Sequence, residues 1–349
     1  VALLAELLGL AGCASQQPEG EDTTQVVGTP PTLQAIAGYT VPEDRRGVSA
    51  IGNDVLTEIS PVWYQPTESG QLVFATDEAE QSISAIEAEA VSHHVAVVPS
   101  ISNFRGERWD AALIHRIISN PQLRQAHITA IVGLITSQGW SGIDIDYESL
   151  AARDRAAYSA FIHDLAVALH QARRRLTITV HAKVAEPGDW SGARAQDWRA
   201  LGASADEVRV MAYDYSTEDS PPGAIAPLPW VEKVLQLAVS EVPRDKIMLG
   251  VPTYGYDWAS GQQAQDLQWT DVQALIQAHG VAVTWDQKSQ TPWFTCVDKQ
   301  GHPHTVWYED ARSMQAKIDL AVRDRVHGIV IWRLGGEDPA IWKQLRQTT

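Results

Sequence analysis

The chain has 349 residues and a net charge of −16, from 27 Lys plus Arg against 43 Asp plus Glu. Hydrophobic residues make up 44% and charged residues 20%, enough apolar material for one large core, which excludes disorder for most of the length. The acidic balance argues against nucleic acid or anionic lipid as a partner, and two cysteines, Cys13 and Cys296, are too few for a disulfide framework or a cysteine-built zinc site.

Residues 1–13, VALLAELLGLAGC, form an apolar run too short to cross a membrane, which takes about 20 residues. The run reads as the end of a secretory signal. Leu10 to Cys13 resembles the lipobox of bacterial lipoproteins, in which Cys13 would carry the lipid and begin the mature protein. Glu6 interrupts the run and the first basic residue is Arg45, so a short amphipathic helix with a buried cysteine stays open as an alternative. Residues 14–33 are polar, acidic and Pro/Gly-containing, a flexible tether. From residue 34 to 349, short β-branched runs alternate with stretches of helical period.

Eight strands are predicted: Gln34–Tyr39, Val55–Val62, His94–Pro99, Gly142–Tyr147, Leu176–His181, Val208–Tyr213, Lys246–Tyr254 and Gly328–Trp332. A helix is predicted over Ala151–Arg174, where Ala157, Phe161, Leu165 and Leu169 repeat every four residues. About 259–306 is longer than a βα connection needs and holds strand-like pieces at Val281–Trp285 and Trp293–Val297. The fold class is therefore α/β, a (β/α)8 TIM barrel with a small α+β insertion between strands 7 and 8.

The most informative segment is Ser141 to Glu148, SGIDIDYE. Side chains alternate along a strand, so Asp144, Asp146 and Glu148 share one face, each about 6.6 Å from the next. Repulsion and desolvation favour keeping a proton on at least one of them near neutral pH, as a general acid requires. Glu148 falls at the C-terminal end of its strand, where barrel enzymes carry their sites. Two other readings of the row stay open: a charged solvent face, and a hard-cation site for magnesium or calcium.

SGIDIDYE resembles the D-x-x-D-x-D-x-E signature of glycoside hydrolase family 18, which includes chitinases, endo-β-N-acetylglucosaminidases and spore peptidoglycan hydrolases. Met211 to Asp214, MAYD, resembles the family's sixth-strand motif. Lys246 to Trp258, Val306 to Ala321 and Gly328 to Pro339 resemble its bacterial cell-wall and spore-associated branch. The resemblance covers about residues 34–345.

It implies a retaining reaction in which the substrate's acetamido group attacks the anomeric carbon. By matching position, Glu148 is the acid and later the base. Asp146 orients the acetamido group, Asp144 tunes the pair's protonation, and Tyr213 bonds the acetamido carbonyl. Asp214, Met211 and Trp332 would contact the sugar, with Trp332 stacked beneath it, and Tyr39 is a further candidate for the pocket. Ser141 replaces the first Asp of the signature, about 23 Å from Glu148, too far to touch the reacting bond. The implied partner is an N-acetylglucosamine-containing polysaccharide, peptidoglycan or chitin-type. No cofactor or metal is implied, a monomer is expected, and the membrane enters only through an anchor at Cys13 in the cell envelope. The alternative is a glycan-binding envelope lipoprotein on an inactive barrel.

Overall fold

Strands such as LTITVH, Leu176 to His181, offer side chains for burial on both faces, and a parallel sheet wrapped by helices meets that demand. The computed structural model describes residues 32–348, positions 43, 45 and 261 excepted. Eight parallel strands close on themselves: β1 (Ala35–Thr40), β2 (Glu58–Pro66), β3 (Ser100–Ser102), β4 (Gly142–Asp146), β5 (Arg175–His181), β6 (Glu207–Met211), β7 (Ile247–Pro252) and β8 (Gly328–Trp332). Closure comes from β1, which pairs with β8 from Ala35↔Gly328 and with β2 from Ala37↔Glu58. The expected TIM barrel is present.

The third strand departs from the expected span of residues 94–99. Ala96–Val97 pairs with β2, the ladder breaks, and pairing resumes at Ser100. Pro99 lies in the break, where it has no N–H to donate, while its carbonyl still accepts from the Asp144 N–H at 2.9 Å. The predicted helix forms over Arg155–Gln171, preceded by a 3-10 turn at Ala152–Asp154 and stopped before Arg173, whose φ is 57°. Phe161, Leu165 and Leu169 are buried and Ala157 is half-buried, the stripe that clamps this helix to the barrel wall.

Alternation sorts the strand residues into two cores. Ile36, Ile59, Ile143, Ile145 and Ile178 face outward into the main apolar core beneath the helices. Inside, Ala35, Ala37, Tyr39, Met248 and Val330 form a separate small cluster. At the N-terminal end of the barrel interior, fully buried Arg209 reaches Glu207 at 2.8 Å, Ser60 at 2.6 Å and Glu58, which Arg175 also contacts. Burial still pushes the Glu207 carboxyl up to about 7.

The insertion is an antiparallel five-stranded sheet of Gly255–Ala259, Gln265–Leu267, Thr284–Asp286, Thr291–Val297 and Pro303–Tyr308, with a helix at Trp269–His279. Its sheet begins four residues before the expected start at 259, because the chain leaving β7 enters it almost at once. Leu267, Val272, Phe294 and Val306 give it a core of its own, in which Cys296 is buried.

The floor of the barrel yields a prediction. Arg209→Met leaves two buried carboxylates without their shared cation, which costs about 3–5 kcal/mol at neutral pH. The loss should shrink as pH falls below about 7, where Glu207 takes up a proton. Denaturant unfolding at pH 5 and pH 8 measures it, and a loss independent of pH would contradict the account.

Candidate active site

β4 can bring its carboxylates deep into the barrel because its first residue is small. A Cβ on Gly142 would stand 2.5 Å from the Arg175 carbonyl oxygen of the neighbouring strand. Asp144, Asp146 and Glu148 then follow one another toward the C-terminal mouth. Asp144 is fully buried, and both its oxygens accept from hydroxyls: Tyr39 at 3.0 Å from β1, Ser100 at 2.9 Å from β3, and Thr179 at 3.1 Å from β5. Burial and then the charge of Asp146 push its carboxyl up to about 8, although the three donors pull the other way.

Asp146 is 6% exposed, and its Oδ1 is buried without a hydrogen-bond partner. Burial pushes this carboxyl up to about 7. Glu148 lies just past the strand, with its side chain 15% exposed. Burial, Asp146 and Asp214, in that order, hold its carboxyl well above the ordinary glutamate range. Asn103 fixes its backbone from both sides: Oδ1 accepts the Glu148 N–H at 2.8 Å, and Nδ2 donates to the Glu148 carbonyl at 3.1 Å.

Three further strand ends complete the mouth. Met211 ends β6 opposite His181 of β5. Tyr213 follows it, nearly buried, with its ring edge-on to Tyr254 at 6.4 Å. Gly250 on β7 makes room, since a Cβ there would stand 3.0 Å from the Tyr213 ring. Asp214 is exposed, takes a left-handed φ of 58°, and accepts a hydrogen bond from the Tyr254 hydroxyl. Trp332 ends β8, half-buried, edge-on to Tyr39 at 5.4 Å.

All eight barrel positions singled out in the sequence thus come together at one end of the barrel. Tyr39 is 1% exposed, beneath the opening, with its hydroxyl on Asp144. Cys13 lies outside the described residues. Among the described residues, no three His, Cys, Asp or Glu side chains are grouped to hold a metal ion. Sequence reasoning missed Asn103, His181 and Tyr254, and the hydroxyls of Ser100 and Thr179. The polar alternation Thr177, Thr179, His181 on an otherwise apolar strand was the available signal for β5.

What the arrangement offers is a carboxyl at the mouth pushed toward its protonated form, backed by a carboxyl pair whose ionisation burial opposes. The pair also sets a pH dependence of stability. Between the ordinary aspartate value of 3.8 and about 8, folded Asp144 keeps a proton that the unfolded chain releases. Its contribution to stability therefore falls as pH rises through that window. Asp144→Asn removes this contribution, so the variant's melting temperature relative to the parent should climb steadily from pH 4 to pH 8. Calorimetry over that range checks it, and a constant difference would contradict it.

The sequence matches the family described as Glycosyl hydrolases family 18 over residues 36–337. An uncharacterized glycosylase of Bacillus subtilis, YvbX, is 32% identical over 255 residues, covering 71% of this chain and 74% of that protein. The cortical fragment-lytic enzyme of Bacillus anthracis is 29% identical over 84% of this chain and 68% of its own length. Among solved structures, the Bacillus cereus spore cortex-lytic enzyme SleL superposes with a TM-score of 0.84 at 28% identity, over 92% of this chain and 75% of that one. A chitinase from Chromobacterium violaceum ATCC 12472 also gives 0.84, at 29% identity over 90% and 98% of the two chains. A match that spans nearly the whole barrel, with a relative at this level of identity, makes the chain a glycoside hydrolase belonging to family 18.

Proposed function

We propose that the chain hydrolyses β-linked N-acetylglucosamine polymers, peptidoglycan or chitin-type glycan, with retention and with the substrate's acetamido group as nucleophile. The observation that carries this reading is the graded row Asp144, Asp146, Glu148, in which burial and like charge keep a proton available at the open end. The two-carboxylate scheme needs a second carboxylate as nucleophile or base. Here the next carboxyl along the strand is nearly buried, with an unpartnered Oδ1. That suits it to accept an amide N–H rather than to attack a sugar.

In the first step Glu148 gives its proton to the glycosidic oxygen. The C1–O bond breaks as the acetamido oxygen bonds to C1, forming an oxazolinium ion. Asp146 accepts a hydrogen bond from the acetamido N–H, and its charge offsets the cation, while Asp144 holds the shared proton of the pair. Tyr213 donates to the acetamido oxygen and keeps it in attacking position. Glu148, now a carboxylate, removes a proton from water as that water opens the ring at C1. Trp332 lies under the sugar at the point of cleavage, and Met211 and Asp214 line its edge. The similarity to a cortical fragment-lytic enzyme and to a chitinase supports this substrate class. We further propose that a lipid at Cys13 holds the enzyme at the cell envelope.

The test is product analysis by mass spectrometry after separate incubation with chitin oligomers and purified peptidoglycan. Release of reducing N-acetylglucosamine ends from either supports the reading, and the substrate that is cut names the polymer. Glu148→Gln should lower turnover on the order of 10²–10⁴-fold while leaving binding largely intact. Fully de-acetylated polymer should not be cut, and cleavage of it at a comparable rate would sink the acetamido mechanism. Binding without any product would point to the glycan-binding alternative.

A further inference from the structure

His181 ends β5 with its ring nearly buried against the acid. Its Nδ1 stands 3.5 Å from Glu148 Oε2. On the other side of the ring, Nε2 accepts the Ser149 backbone N–H at 3.2 Å. Ser149 holds a left-handed φ of 56°, so this contact secures the turn immediately after Glu148. An Nε2 that accepts cannot carry a proton, and a neutral ring then carries its proton on Nδ1, the atom that faces Glu148. Burial and the charge of Lys183 hold the imidazole down at about 3, so it stays neutral.

The ring itself is fixed from several directions. Gln196 Oε1 accepts the His181 backbone N–H at 2.7 Å, and its Nε2 reaches the Tyr147 carbonyl at 3.4 Å. The Trp190 ring lies edge-on at 4.5 Å. Lys183, which lowers the ring's basicity, is itself engaged with the Gln196 carbonyl at 2.6 Å and Glu186 at 2.7 Å. The titratable groups around Glu148 are His181 on β5, Asp146 on its own strand, and Tyr213 and Asp214 beyond β6.

We infer that His181 is a positioning residue for Glu148: its Nδ1–H engages Oε2, which leaves Oε1 as the oxygen that carries and transfers the proton. This rests on the reading of Glu148 as the acid and adds which of its oxygens does the work. A carboxyl has two equivalent oxygens and a rotatable bond, so an acid without such a partner presents its proton in the wrong place part of the time. After proton transfer the same N–H stabilises the new carboxylate, without adding a charge that would compete with Asp146 for the cationic intermediate. A separation of 3.5 Å is long for a hydrogen bond, and catalytic contacts of this kind tighten when substrate closes the site.

The experiment compares His181→Phe, which keeps the bulk and deletes the donor, with His181→Asn, whose amide N–H occupies the Nδ1 position. On whichever glycan the parent cleaves, the Phe variant should lose about tenfold or more in kcat with KM changed far less. Losing the donor disfavours the carboxylate, so the alkaline limb of kcat/KM should move up by about one pH unit. The Asn variant should recover most of both effects. The Glu148 carboxyl is titrated in parallel by carbon-13 NMR, its signal identified by its loss in Glu148→Gln. It should shift upward in the Phe variant and lie near the parent value in the Asn variant. An unchanged limb and an unchanged titration in His181→Phe would overturn the inference, as would an Asn variant that behaves like Phe. If the parent cuts neither glycan, the proposed function fails, and the titration alone decides the role of His181.

Discussion

The structure is organised around one constraint: a single strand carries three carboxyl groups into the interior of a closed barrel. Ionising all three there is prohibitive, because low local polarity strengthens their repulsion while removing the water that would offset it. The barrel lining is what such a row requires. Small or hydroxylated side chains such as Ala37, Ser100, Thr177 and Thr179 leave room for the carboxyls and supply donors where needed. The apolar side chains of the same strands turn outward, where Ile143 and Ile145 join the main core under the helices. The outer layer supplies the apolar packing, and the inner one holds the chemistry and the ion pairs of the floor.

Within the barrel, satisfaction of the carboxyls falls from floor to mouth. At the floor, Glu58 and Glu207 share the Arg209 guanidinium. Asp144, above them, has no cation but receives three hydroxyls. Asp146 has one oxygen with no partner, an arrangement that costs about 1–3 kcal/mol in a folded protein. Glu148 at the top is fixed by its backbone to Asn103 and leaves its carboxyl partly open. A side chain already fully bonded has nothing to offer a ligand. The gradient therefore reserves bonding capacity for the end that opens to solvent, and the firmly paired floor beneath it keeps the unsatisfied groups from collapsing.

This division explains what the sequence made legible. Alternation along SGIDIDYE was enough to put the three carboxyls on one face, and the β-branched runs were enough to place seven of the eight strands, the third being expected at 94–99 and found at Ser100–Ser102. The partners of Asp144 were invisible, because Tyr39, Ser100 and Thr179 lie 105, 44 and 35 residues away in the chain and meet it only when the barrel closes. Tyr39 is an example: its position at a strand end suggested the sugar pocket, but its hydroxyl bond to Asp144 is set by strand register and had no signal in the sequence. The expected third strand ended at Pro99, but the resumption of pairing at Ser100 depends on β4 supplying the next hydrogen bond. His181 offered only the alternation Thr177, Thr179, His181 as a signal, and its place beside Glu148 is set only when β4 and β5 pair.

The insertion belongs to the same argument, because it grows from the end of β7 beside the site. Tyr254, between β7 and the first inserted strand, donates to Asp214 and lies edge-on to both Tyr213 and Tyr256. Tyr256 in turn pairs across the sheet with Trp307, which stacks on Trp293 at 5.4 Å. Ring contacts thus run from Tyr256 in the inserted sheet through Tyr254 to Tyr213, which follows β6. Asp214 sits in a left-handed backbone conformation that an aspartate enters only at some cost, and the Tyr254 hydroxyl is the contact that holds it there. The insertion has a small core of its own, while Tyr256 and Trp307 of its sheet pack against the main core of the barrel. Tyr254 thus ties the inserted sheet to Asp214, one of the charges that hold the Glu148 carboxyl up.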